Sequence, residues 1–187
     1  PGSIEEAIVN DDLDKFLEFF KNSTISYETK INYNIFSHAH ILNKNTNLIE
    51  FSALYSSLKI FKYLINSIES NRIKKLTDNS VNVCFLATYG GCYEILKICE
   101  QFNIDINVSF CCSACFYRHE ILSWLVEEKN YDVNSYLENY LCPLHQAASS
   151  NNLRGLFYIL WKGGEINKTQ NDFGQRIISP CTFGIDF

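Results

Sequence analysis

The sequence contains no methionine, only three prolines, and no apolar run long enough to cross a bilayer. With methionine missing, Pro1-Gly2-Ser3 reads as a cloning remnant, and the natural start is expected outside this sequence. Scarce proline, with 47% hydrophobic and 20% charged residues, excludes a disordered low-complexity chain and fits a globular one. Basic residues are also short, 16 Lys and Arg against 21 Asp and Glu, for a net charge of -5. No basic stripe exists to displace counterions from phosphate, which argues against a nucleic-acid partner. The densest basic run, Arg72, Lys74 and Lys75, reads as a solvated face. Nothing in these residues resembles a secretory signal, and the eight cysteines lack the spacing of a small disulfide framework. The expected setting is therefore cytoplasmic and reducing, where the sequons at Asn22, Asn107 and Asn167 mean nothing. Enzyme signatures are missing as well: no G-x-S-x-G, no G-x-x-x-x-G-K and no H-E-x-x-H.

What the chain does contain is an irregular repeat. In the stretch Pro143-Leu144-His145-Gln146-Ala147-Ala148, a proline-led turn opens a short helix with paired alanines, and a second helix follows. With Leu144 as anchor, equivalent positions fall at Ile4, Ile49, Cys84 and Phe110, with a partial sixth at Ile178. Three and four residues past the anchors stand mostly small side chains: Ala7 and Ile8, Ser52 and Ala53, Ala87 and Thr88, Ser113 and Ala114, Ala147 and Ala148. Small residues suit a helix that presses closely on its neighbour. Ile8 breaks the rule, which a first unit with no outer neighbour tolerates. Twelve past the anchors come Phe16, Phe61, Leu96, Leu122 and Leu156; fifteen past come Phe19, Leu64, Cys99, Leu125 and Ile159. That spacing puts each pair on one face of a second helix. The units are expected to close at Asn107, Asn134 and Asn167, where asparagine suits a left-handed reversal, helped by Gly163 and Gly164.

Anchor intervals of 45, 35, 26, 34 and 34 residues locate two defects. The shortest leaves only Val108 and Ser109 between Asn107 and Phe110, so no projecting β-finger fits there. The longest holds an insertion, residues 27–48, in which Phe36 to Leu42 could form an extra helical turn or two. The fold class expected is all-α: stacked helix-turn-helix units with few or short β-fingers. Residues 4–187 would form a single domain of about five units plus a partial sixth. A unit of this kind cannot bury its apolar face alone, which is why neighbours are expected.

The Pro143-Leu144-His145 opening and following alanines resemble the ankyrin repeat, with Cys142 where that repeat has threonine. The runs Ile49 to Ala53, Lys59 to Leu64, Glu94 to Glu100 and Tyr117 to Leu125 resemble a divergent ankyrin subfamily expanded in parasitic protists, as does Asn10 to Phe16. The resemblance implies a helical repeat solenoid acting as a non-enzymatic scaffold, with a protein partner on its concave face and no cofactor. It gives His145 a structural role, bonding the backbone of adjoining turns.

On that resemblance, residues five and six past each anchor lie on the concave face, which puts Leu54, Tyr55, Tyr89, Phe116, Ser149 and Ser150 there. Glu138 and Asn139 join them from the finger before Leu144, and Asp172 and Phe173 from the next finger. The aromatics either form an exposed binding stripe or fold inward to fill gaps; exposed together they would bury much area at little entropy cost. The acidic balance favours a neutral or basic protein surface as partner. The alternatives are a metal- or redox-responsive regulator using Cys111, Cys112, Cys115 and His119, and a targeting segment of a larger protein. The register disfavours the metal: Cys111 and Cys115 belong to a first helix, while His119 opens a second one. His38 and His40, two apart, read as surface residues. After Ile178 the last unit ends without a polar cap, and Ile177, Ile178, Phe183, Ile185 and Phe187 cover the stack poorly. Self-association through that end, or loss of solubility when residues from 176 onward are deleted, is the expectation.

Overall fold

A computed structural model describes residues 2–22, 26, 29–31, 46–68, 80–136 and 142–166. Among them are ten α-helices: α1 Ile4–Val9, α2 Leu13–Asn22, α3 Leu48–Leu54, α4 Leu58–Ser67, α5 Ser80–Gly90, α6 Tyr93–Gln101, α7 Val108–Cys115, α8 His119–Glu127, α9 Pro143–Ser149 and α10 Leu153–Trp161. The protein is mostly helical. The one β pairing among the described residues is an isolated antiparallel bridge between Lys30 and Asn47, which closes the two ends of the inserted segment. The insertion's interior, with Phe36 to Leu42, lies outside the described residues, as do His38, His40, the Arg72 to Lys75 run, Asp172, Phe173 and the partial unit at Ile178. No described helix is long and apolar enough to cross a membrane.

The chain divides into two compact units, Pro1–Asp105 and Ile106–Phe187. In the first, α1 packs on α3, α3 on α5, α2 on α4 and α4 on α6; in the second, α9 packs on α7. All five helix pairs turn in the same way. The residue seven past each anchor is left-handed: Asp11, Ser56, Gly91, Tyr117 and Asn151 have φ of 50°, 59°, 89°, 60° and 58°. One residue on, the backbone N–H reaches back to the carbonyl three past the anchor: Asp12 to Ala7, Ser57 to Ser52, Cys92 to Ala87, Arg118 to Ser113 and Asn152 to Ala147. This six-to-one bond is the Schellman closure, and it satisfies carbonyls that the helix end leaves over. Position seven admits Asp, Ser, Gly, Tyr and Asn alike, so its backbone role was invisible in the sequence.

A second left-handed residue follows α6, α8 and α10: Asn103, Asn130 and Gly163. Gly163 is where the sequence reading put a reversal, but after α6 and α8 that reading placed it four residues too late. Asn107 is right-handed helical, and Asn134 is not left-handed either. Instead their side chains make bonds. Asn107 Oδ1 accepts from the Tyr131 hydroxyl at 2.6 Å, while Asn134 donates to Gly163 O at 3.0 Å and accepts from Glu165 N at 2.9 Å. Gly164 is needed for space: a Cβ there would meet Ile159 O at 2.9 Å.

Burial follows the repeat. Phe16, Phe61, Leu96 and Leu122 are fully buried, as are Leu64, Cys99, Leu125 and Ile159. Burial of the hydroxyls Ser52, Thr88 and Ser113 is compatible with folding because each bonds a carbonyl three or four residues back, at 2.7–2.8 Å. The exceptions reveal which way each position faces. Ile8, four past its anchor, is buried, whereas Ala148, at the same position in the last described pair, is exposed. Leu156 is likewise only half-buried. These columns therefore face the following pair, so Ile8 is not on an open outer side after all. Its carbonyl accepts a hydrogen bond from the Ser57 hydroxyl. Glu6 and Phe19, in columns that face the preceding pair, are exposed and half-buried in the first pair.

Candidate functional site

The ends of the first helices are drawn together within each unit. In the first, a Cβ on Gly90 would lie 2.4 Å from Leu54 O, so only glycine lets α5 approach the end of α3 this closely. Tyr55 and Tyr89 each stand one residue in sequence from that contact. Both are half-buried, and the Tyr55 ring tilts against Phe51 at 4.8 Å. Leu54 is only 5% exposed and turns its side chain into the core, so it has little to offer a partner. In the second unit Phe116 is the half-buried C-cap of α7. Ser149 is exposed and Ser150 half-buried, and both hydroxyls bond back to Gln146 O, at 3.1 and 2.7 Å. Glu138 and Asn139 lie outside the described residues.

Tyr117 belongs to this face and was missed. It is exposed, holds the left-handed turn of its pair, and donates its hydroxyl to Ser150 O, tying the α7 end to the α9 end. Nothing in the residue type signals that role, because a tyrosine is an unusual choice for positive φ.

The turns are also stitched from pair to pair. The Asp11 carboxylate accepts from Lys59 N and Ile60 N at 3.1 Å, placing negative charge at the N-terminus of α4. Asn152 caps α10 by accepting from Gly155 N at 3.0 Å and donates to Ala114 O at 2.7 Å. That bond repeats the geometry of Ser57 on Ile8: position eight of one pair reaches position four of the pair before it.

Titratable groups here are structural in character. His145 is 4% exposed, its Nδ1 makes no hydrogen bond, and burial holds its pKa below the ordinary histidine value. The backbone bond expected of its imidazole is therefore absent at Nδ1. Neighbouring Gln146 is 1% exposed with both amide atoms unpaired. Burial raises the Cys112 thiol's pKa, with help from Cys115, which makes Cys112 a poor nucleophile and metal ligand. His119 opens α8, and burial, then the Arg154 guanidinium, lowers its pKa. Among the described residues no three His, Cys, Asp or Glu side chains are grouped to hold a metal ion. No protein-family profile matches the chain, and no curated protein matches it.

Proposed function

We propose that this chain is a non-enzymatic protein–protein interaction scaffold of ankyrin-like repeats, acting in the cytoplasm. A protein partner would bind on the concave face that the resemblance implies. The observation carrying this reading is the common turn of all five helix pairs, with its left-handed seventh residue and six-to-one bond. Such turns, linked pair to pair within each unit, present the first-helix ends as preformed surface, so binding would cost little ordering entropy. Tyr55 and Tyr89 supply aromatic area in one unit and Phe116 and Tyr117 in the other, and the net charge of -5 favours a neutral or basic partner.

The test is capture of partners from a source-cell lysate by the parent and by a Tyr55→Ala, Tyr89→Ala, Phe116→Ala variant of matched helicity. A partner held by the parent should bind the variant at least about tenfold more weakly, and all binding should weaken with salt. Equal capture by both forms would mean that these aromatics are packing residues.

A further inference from the structure

The last described helix pair is uncovered on one side. Within the first unit the rings of Phe16 and Phe20 on α2 meet Tyr63 on α4, with centroids 6.2 and 6.3 Å apart, and the Ser57 hydroxyl bonds Ile8 O. Positions four and twelve past an anchor therefore face the following pair. Ile8 and Phe16 are buried there, as are Ala53 and Phe61, and in the second unit Ala114 and Leu122. The same positions of α9 and α10 hold Ala148, which is exposed, and Leu156, which is half-buried. A third column agrees. Val133, three past left-handed Asn130, is 6% exposed, whereas Ile166, three past left-handed Gly163, is 59% exposed. Ala148, Leu156 and Ile166 are all apolar, so the packing columns continue past the last pair that is covered.

We propose that residues 177–187, a segment outside the described residues, dock on this open side against Ala148, Leu156 and Ile166, in the place that a following pair takes within each unit. The register selects this occupant. Ile178 stands 34 residues past Leu144, the interval that also separates Leu144 from Phe110. Three and four past Ile178 come Cys181 and Thr182, small residues in the places of Ala87 and Thr88. Six past it comes Gly184, in the place of Gly90, where only glycine lets α5 approach the end of α3. The segment thus repeats the small positions that earlier first helices use for close packing. Ile177, Ile178, Phe183, Ile185 and Phe187 supply apolar area, and Asp186 is the one charged side chain among residues 177–187. Reach is sufficient as well, since the 12 residues from Ile166 to Ile178 span up to about 40 Å when extended. A tethered segment acts at an effective concentration of roughly millimolar, so it takes this face ahead of a second copy or a separate protein at micromolar concentration.

Urea unfolding of the full chain, followed by the fluorescence of Trp124 and Trp161, is the test, because both tryptophans lie in the same unit as this face. Arginine nearly matches alanine in helix propensity, so Ala148→Arg on an uncovered face would leave stability unchanged. Under a docked segment it should lower the folding equilibrium constant at least about tenfold, and Ile178→Ser should do the same. The double variant should lose less than the product of the two single losses, because both substitutions break one contact. Should Ala148→Arg not fold, the smaller, uncharged Ala148→Gln takes its place in the cycle. Unchanged stability in either single variant overturns the proposal. Losses that simply multiply also overturn it, since the segment would then pack elsewhere. The unfolding midpoint should be the same at about 1 and 100 μM protein; a midpoint that rises with concentration would mean that a second copy supplies the segment, which overturns intramolecular docking.

Discussion

At the scale of single residues, the two side chains that define the α9 opening are both under polar stress. Gln146 occupies the column that holds exposed Glu6 in the first pair and the buried apolar residues Phe51, Leu86 and Cys112 in the next three, yet it buries an amide with no partner. Replacing it with leucine should stabilise the protein by about 1–3 kcal/mol, the typical cost of an unsatisfied buried polar group, as read by urea denaturation. His145 is buried with a lowered pKa, and so is His119 in part. Below the ordinary histidine value the unfolded chain takes up protons that the folded chain refuses, so stability falls as pH drops through that value. The carboxylates of Asp12 and Glu127, lowered by bonds from Lys15 and Lys162, lose their contribution only at more acid pH. The thermal midpoint should therefore decline between about pH 7.5 and 5, and decline less in His145→Leu.

At the scale of elements, each second helix is short and depends on how its first turn is held. Asn152 both caps α10 and bonds Ala114 O from a buried position. Asn152→Ala removes the cap and strands a buried carbonyl, for an expected cost of about 2–3 kcal/mol. Asn152→Ser keeps a capping oxygen and should recover part of it. An alanine variant as stable as the parent would show that the α9–α10 turn does not rely on this residue. The α3 helix uses another device, a capping box in which Asn47 Oδ1 accepts from Glu50 N and Glu50 Oε2 accepts from Asn47 N, both at 2.9 Å. That reciprocal pair explains why a glutamate can be buried one residue past the anchor Ile49.

At the scale of the whole molecule, stability in stacked helix pairs is a sum of local and nearest-neighbour terms. Leu64 is fully buried, and Leu64→Ala should cost about 2–5 kcal/mol in the unit Pro1–Asp105. Both tryptophans lie in the other unit, so their fluorescence reports on that unit alone. The variant is expected to lose helicity by circular dichroism at lower urea than its fluorescence changes. Coincident transitions by the two probes would show that the chain unfolds as one cooperative body.

The sequence by itself determined the helical class, the five anchors and the buried columns, because period and side-chain volume are local properties written at every unit. It also located the short connection after α6, where only residues 102–107 separate that helix from α7. It misplaced the left-handed reversals after α6 and α8, because asparagine serves both as a turn residue and as a hydrogen-bonding side chain. Asn107 and Asn134 turned out to be the latter. Facing direction was decided by tertiary structure alone. Leu54 and Tyr55 are adjacent and equally apolar in the sequence, and only the close approach of α5 buries the first. Leu156 continues the column of Phe16, Phe61, Leu96 and Leu122 in the sequence yet is only half-buried; burial depends on what packs alongside, and nothing local to α10 encodes that.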